Sequence, residues 1–292
     1  MVTASLVKEL REKTSAGMLD CKKALEATNG DINSAIDWLR EKGISKAAKK
    51  ADRIAAEGIA AVKINGNVAA IVEVNSETDF VAKNTEFTSM VDTILDAIVA
   101  NDVKTVDEVL ALSTAEGTIN DLIVSKTATI GEKLSLRRFE RIVKNDSEAF
   151  GDYIHMGGRI AVLTVVDGAS SDVAKDVSMH AAAMRPMYVK SSEVPTEVLD
   201  KEKEIIREQL INEGKPENLI EKILVGKVNT YYEEVCLENQ IFVKAENKET
   251  VAKFVANNGG TISKMVRYEV GEGMEKKEEN FAEEVAKQIQ GN

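Results

Sequence analysis

The amino-acid sequence predicts an α+β protein with a small helical bundle at its N-terminus. Three observations carry that prediction. Apolar residues recur at helical spacing through residues 1–43, with caps and breakers between the runs. Two β-rich runs then meet at Asn65-Gly66, a dipeptide suited to a tight hairpin. Short stretches of this hairpin region recur further along, the mark of an internal repeat. A length of 292 residues suits about two domains. The expected organisation is a three-helix bundle over 1–43 and a basic helical linker over 44–57. One core subdomain follows over 58–145 and a second over 146–274, with a helical-hairpin insertion at about 195–234. A C-terminal helical module covers 275–292.

Thr3 is placed to cap a first helix whose Leu6, Val7 and Leu10 share one face. Ser15-Ala16-Gly17 breaks it. A second helix runs from Met18 to about Thr28 and stops at Asn29-Gly30. Asp31 caps a third, with Ile32, Ile36 and Leu39 at helical spacing and Gly43 as the expected stop. A core this small is marginal by itself. The run GMLDCKKALEATNGDINSAIDWL resembles the ubiquitin-associated-type bundle, a module that binds peptides and proteins. Lys46, Lys49, Lys50 and Arg53 follow at i, i+3, i+4 and i+7, one stripe if the linker is helical. That stripe reads either as a solvated face or as a contact for an acidic partner or RNA.

IAAVKI and NVAAIVEV form the hairpin strands, with Asn65-Gly66 expected as a type I′ turn because both residues tolerate φ > 0. Phe87, Val91, Ile94 and Ile98 mark a helix covering one face of the sheet. Two short helices are expected near 105–112 and 118–128, and a strand from Lys133, KLSLRRFERI. The plan then repeats. Gly158-Arg159-Ile160-Ala161-Val162-Leu163 resembles Gly66-Asn67-Val68-Ala69-Ala70-Ile71 at an offset of 92 residues, and Val173-Ala174-Lys175 repeats Val81-Ala82-Lys83 at the same offset. Arg267-Tyr268-Glu269 echoes Arg138-Phe139-Glu140 at 129. The difference leaves room for an inserted antiparallel helix pair. Leu199, Ile206 and Leu210 stripe its first helix, Gly214-Lys215-Pro216 turns the chain, and Leu219, Ile223 and Tyr231 stripe the return. A strand IFVKA and a helix near 248–257 complete the second subdomain. In the last segment Phe281, Val285 and Ile289 lie at i, i+4 and i+8, an amphipathic helix that docks on its own core or on a partner.

Composition narrows the function. Thirty-eight basic against 49 acidic residues leave a net charge of −11, which argues against wrapping nucleic acid. Cys21 and Cys236 have no metal or redox spacing and read as packing thiols in a reducing compartment. No apolar run is long enough for a membrane span, and MVTASLVKELREK lacks a signal-peptide core, so the expected location is the cytoplasm. The only histidines are His155 and His180; no phosphate-binding loop, zinc-protease motif, nucleophile elbow or CxxC occurs. No catalytic residue, metal site or cofactor is therefore assigned, and the carboxylates are ascribed mostly to solvated, charged helix faces.

One segment stands apart. Glu73-Val74-Asn75-Ser76-Glu77-Thr78-Asp79-Phe80-Val81-Ala82-Lys83 leaves the hairpin and enters a helical turn capped by Thr78 or Asp79. On one reading Phe80 and Val81 staple the turn to the core. On the other, Phe80 beside Asp79 is a rigid wedge offered to a partner's pocket.

LVKELREKTSAGMLDCKKALEATNGD and EVNSETDFVAK, followed by DYIHMGGRIAVL, MHAAAMRP and VRYEVGEGMEK, are similar in order to the elongation factor Ts family over essentially the whole chain. The resemblance implies a guanine nucleotide exchange factor, not an enzyme. Its partner would be the GTPase elongation factor Tu, with no nucleotide bound directly and no membrane. The implied fold is a ubiquitin-associated-like bundle, two related α+β subdomains, a helical hairpin and a C-terminal helix. It places Thr78, Asp79, Phe80 and Val81 beside the partner's nucleotide site, where they disturb its magnesium ion. It places Lys8, Arg11, Met18, Leu19 and Lys22 against the GTPase domain, and His155 on another part of the partner. Ser76 departs from the cysteine of some relatives, and Met156 occupies a variable position. Homodimerisation through the helical hairpin stays open. So do two other classes: an adaptor that binds through residues 1–43 alone, and an RNA- or ribosome-binding module that uses the Lys46–Arg53 stripe.

Overall fold

The computed structural model describes residues 2–14, 18–48, 53–115 and 117–274. The architecture mixes helix and sheet, as an α+β chain should. Helix α1 (Ala4–Thr14) begins where the Thr3 hydroxyl accepts the Leu6 N–H at 3.3 Å. Helix α2 (Met18–Ala27) ends at Asn29 and Gly30, both in left-handed backbone. Helix α3 (Ile32–Ala48) opens under Asp31, whose carboxylate accepts the Ser34 N–H at 2.7 Å and is held below its ordinary pKa by that bond. Leu10, Cys21, Ala24, Leu25 and Ala35 form the core of these three helices. Gly43 does not stop α3. A mid-helix glycine costs about 1 kcal/mol relative to alanine, and with helix-compatible residues on both sides it is tolerated. The expected Ser15-Ala16-Gly17 break lies outside the described residues.

Strands β1 (Glu57–Asn65) and β2 (Val68–Ser76) form the hairpin. Its turn differs from the expectation: the loop residues are Gly66 and Asn67, and only Gly66 has φ > 0, at 58°. Glycine at the first loop position is the type II′ pattern, which also matches strand twist and leaves Asn65 free to pair as strand. After α4 (Asp79–Ala82), α5 (Thr85–Ala100) buries Phe87, Val91, Ile94 and Ile98 as expected, with Met90 and Leu95. The two short helices are α6 (Val106–Leu110), then α7 (Ile119–Ile130), each opened by a threonine capping box. Between them Ser113–Thr114 (β3) and Gly117–Thr118 (β4) form a small ladder that periodicity does not reveal. Strand β5 (Ser135–Val143) completes a sheet of order β1-β2-β5.

A second sheet has the same plan. Strand β6 (Glu148–His155) pairs antiparallel with β7 (Ile160–Asp167), from Glu148↔Asp167 to His155↔Ile160. Helix α8 (Ser171–Met184) packs on both strands. The backbones approach so closely at Gly151 that a Cβ there would lie 2.1 Å from the Ala174 carbonyl carbon. The 92-residue offset carries the first residue of β2 onto the first of β7, and the first of α4 onto the first of α8. Helices α9 (Thr196–Asn212) and α10 (Glu217–Val235) form the expected pair, with Ile206, Leu210, Ile220 and Leu224 as its seam. Leu219 is instead 43 % exposed: Ile220 and Leu224, four apart, take the seam, and Leu219 sits one residue of helical rotation away. IFVKA is not a strand. Ile241 makes a single bridge to Thr250, and the Ala245 N–H bonds back to the Phe242 carbonyl at 2.9 Å, turning the chain as Phe242 enters the core and stacks on Phe254. Helix α11 (Val251–Asn257) and strand β8 (Thr261–Glu269) follow, giving the order β6-β7-β8. The C-terminal segment with Phe281, Val285 and Ile289 lies outside the described residues.

The chain divides into two compact units, Met1–Ala60 with Val72–Phe139 and Glu269–Asn292, and Ala61–Ile71 with Glu140–Tyr268. Among the described residues no helix is long and apolar enough to cross a membrane.

Candidate functional site

The site begins with a buried carboxylate in β2. Glu73 is fully buried, an exception to the expectation that the acids sit mostly on charged helix faces. Two consecutive β5 arginines reach it, Arg137 Nη1 at 2.9 Å and Arg138 Nε at 2.6 Å, and the Gly271 N–H donates to it at 2.9 Å. Burial by itself would raise the Glu73 pKa. The Gly271 and Arg137 hydrogen bonds, the Arg138 charge and Asn75 outweigh it and hold the carboxyl below its ordinary value. Three residues on, β2 ends and the chain enters the turn.

Thr78, Asp79, Phe80 and Val81 form one continuous feature. Helical rotation of about 100° per residue sends neighbouring side chains to different faces. Val81 is therefore buried against the helix that follows, while Phe80 is 80 % exposed. The staple reading holds for Val81 and fails for Phe80. Leaving a phenylalanine in water forgoes about 1.5–3 kcal/mol of burial free energy. Asp79 is exposed and faces Lys83 at 3.5 Å. The Lys83 and Asn84 N–H groups close the turn onto the Phe80 and Val81 carbonyls at 3.2 and 2.9 Å. Asn84 then caps α5 by accepting the Glu86 N–H at 2.8 Å.

The approach to this turn is braced from outside it. Glu132, just after the left-handed Gly131 that ends α7, accepts the Thr78 hydroxyl at 2.7 Å. It also accepts the Thr78 and Glu77 N–H groups at 2.9 and 3.1 Å. Glu77 in return accepts the Lys133 N–H at 2.6 Å and faces Arg53 Nη1 at 3.3 Å. Motif reasoning misses Glu132 altogether, and it names Glu73 only as the first residue of the segment leaving the hairpin, not as a buried, paired charge. Neither lies in a periodic apolar stripe, and what distinguishes them is long-range pairing. The one sequence signal is a helix C-cap glycine followed at once by an acid.

The remaining assigned residues lie elsewhere. Lys8 is exposed on α1, and Lys22 is exposed on α2, 3.8 Å from Glu26. The side chains of Arg11, Met18 and Leu19 lie outside the described ones, as do that of Lys46 and the whole of Lys49 and Lys50. Arg53, the last residue of the basic stripe, is engaged with Glu77. His155, in the other compact unit, is exposed at the end of β6 with its ring stacked on Tyr153, centroids 5.9 Å apart. Met156 follows it, 75 % exposed in left-handed backbone.

The chain is thus an α+β protein that holds a bare aromatic on a braced turn. Residues 77–272, two thirds of its length, match the sequence model of the family Elongation factor TS. The chain belongs to the elongation factor Ts family, translation elongation factors whose role in protein biosynthesis is nucleotide exchange.

Proposed function

We propose that this chain binds elongation factor Tu in its GDP form, loosens the magnesium and phosphate contacts of that partner, and lets GDP leave so that GTP can enter. The observation that supports this most is the exposure of Phe80 on a turn braced at both ends. An aromatic held rigidly in water gains its burial free energy only on meeting a pocket, and such anchors dominate interface energetics. Asp79 beside it brings a carboxylate toward a site that holds a cation. Lys8, Arg11, Met18, Leu19 and Lys22 grip the GTPase domain, and His155 touches a second part of the partner. The work is done in the cytoplasm and needs no cofactor of this chain's own.

Binding energy gathered over that wide surface drives Phe80 into place. The coupling between factor and nucleotide is negative and reciprocal, so excess nucleotide expels the factor. A thousandfold acceleration of release corresponds to roughly 4 kcal/mol off the barrier.

The test is release of a fluorescent GDP analogue from elongation factor Tu in stopped flow, with wild type and Asp79→Ala/Phe80→Ala chains. Saturable acceleration, lost in the double variant while binding persists, is the expected result. Acceleration untouched by the substitutions leaves exchange standing and removes Phe80 from it. No acceleration at any concentration would return the chain to the class of adaptors or RNA-binding modules.

A further inference from the structure

The turn that carries Phe80 is too short to orient itself. Helix α4 has four residues, fewer than helix nucleation supports without outside contacts. Thr78 stands at its N-cap with the extended backbone of a capping residue, φ −127° and ψ 157°, yet its side chain caps nothing in α4. The hydroxyl is committed to Glu132 instead, at 2.7 Å. A local cap is thus exchanged for a bond to a residue 54 positions away. The same carboxylate takes the N–H groups of Glu77 and Thr78, so it fixes two successive peptide planes at the root of the turn. From the other side Glu77 takes the Lys133 N–H, and the Lys133 ammonium reaches the Arg53 carbonyl at 3.0 Å. Each of the two segments, 77–78 and 132–133, grips the other's backbone through a carboxylate.

We infer that Glu132 is the positioning residue of the exchange site, its carboxylate setting the direction in which Phe80 leaves the surface. The inference rests on the proposed role of Phe80 as the intruding residue. Glu132 acts through Thr78, whose N–H and hydroxyl it holds. Three donors converge on its two oxygens, the two N–H groups on one and the Thr78 hydroxyl on the other. A glutamine can keep its amide oxygen on the two N–H groups and donate its NH2 to the hydroxyl, which also accepts, so Glu132→Ala is the variant that removes the brace. Thr78→Ser keeps the hydroxyl and the bond, and Thr78→Val removes both.

The experiment is the stopped-flow release assay on the full chain, titrated to saturation, with Glu132→Ala, Thr78→Ser, Thr78→Val, Phe80→Ala and the Glu132→Ala/Phe80→Ala double variant. Glu132→Ala and Thr78→Val are expected to lower the maximal release rate about tenfold, the scale of one charge-assisted hydrogen bond. The half-saturating concentration stays near the wild-type value, because the gripping surfaces are intact, and Thr78→Ser behaves as wild type. The double variant is no slower than Phe80→Ala alone, since Glu132 acts through Phe80. Wild-type rates from Glu132→Ala, with Phe80→Ala slow, overturn the positioning role and leave the role of Phe80 standing. A rise in half-saturation alone, or a further slowing by Glu132→Ala in the Phe80→Ala background, also overturns it. Fast release from Phe80→Ala sinks the intruding-aromatic reading and this inference with it.

Discussion

At the scale of single residues, burial decides which chemistry a side chain keeps. Phe80 and Val81 are adjacent and both apolar, yet one is bare and the other packed. The difference is the phase of one helical turn. Cys236 shows the opposite outcome, a reactive group made inert. It is fully buried, and burial, with the charges of Glu193 and Glu238, pushes its thiol up to about 11. The thiolate is the nucleophile, so the folded chain should leave Cys236 unmodified by iodoacetamide at about pH 8. The same cysteine should label readily in concentrated urea. Mass spectrometry of the labelled chain checks this, and folded-state labelling at the unfolded rate would contradict it. Sequence spacing had already assigned this thiol to packing. It could not assign the buried charge of Glu73, because nothing in the local run EVNS announces two arginines 64 and 65 residues away.

At the scale of elements, phase and termination are set by neighbours more than by propensity. In the helical pair the seam is Ile206, Leu210, Ile220 and Leu224. Leu210 is 2 % exposed there, so Leu210→Ala should cost about 2–5 kcal/mol through lost contacts and a residual cavity. The loss should fall on α9 and α10, whose backbone amides would exchange faster with solvent while those of the β6-β7-β8 sheet keep their protection. Hydrogen exchange by mass spectrometry reads this directly, and unchanged protection of α9 and α10 would refute it. The existence of both helices was legible from stripes and the Gly214-Lys215-Pro216 turn. The facing of Leu219 was not, since Leu219, Ile220 and Ile223 fit a stripe in either of two phases. IFVKA failed for a related reason. Its β-branched composition suits a strand, but the chain turns there, with the Ala245 N–H bonded back to the Phe242 carbonyl.

At the scale of the whole molecule, two buried ionisable groups give stability a pH dependence with two onsets. His180 is fully buried, with Nε2 3.0 Å from Gln240 Oε1 and Nδ1 accepting the Val243 N–H at 3.2 Å. An accepting Nδ1 places the proton on Nε2 and makes the ring neutral. Burial lowers its pKa, and the Gln240 hydrogen bond only partly opposes that. Because the folded value lies below the ordinary 6.5, the folded state binds fewer protons; this contribution is complete above 6.5 and is lost as pH falls from there through the folded value. The Glu73 carboxyl is likewise held low, so its contribution is present above its ordinary 4.5 and is lost as pH falls through the lowered folded value. Urea midpoints should therefore decline from about pH 6.5 downward and decline again below about pH 4.5. The imidazole signal of His180 in NMR should titrate below 6.5; a midpoint at or above that value would refute the assignment.

What the sequence determined by itself follows from local rules. Caps at Thr3 and Asp31, the hairpin between two β-rich runs and the 92-residue repeat all rest on contacts within a few residues or on period alone, whereas the site at Thr78–Val81 was singled out by resemblance to a family. Those rules hold before the chain folds, so a reader of the sequence can apply them. The tertiary structure alone decided which face of each element turned inward and which charges met. Phe80 is bare because Val81 took the inward face. Glu73 is buried because Arg137, Arg138 and Gly271 converge on it. Thr78 turns from its own helix because Glu132 offers a charged acceptor across 54 residues. A carboxylate's partner is chosen by distance in space, and only the closed fold makes those distances short.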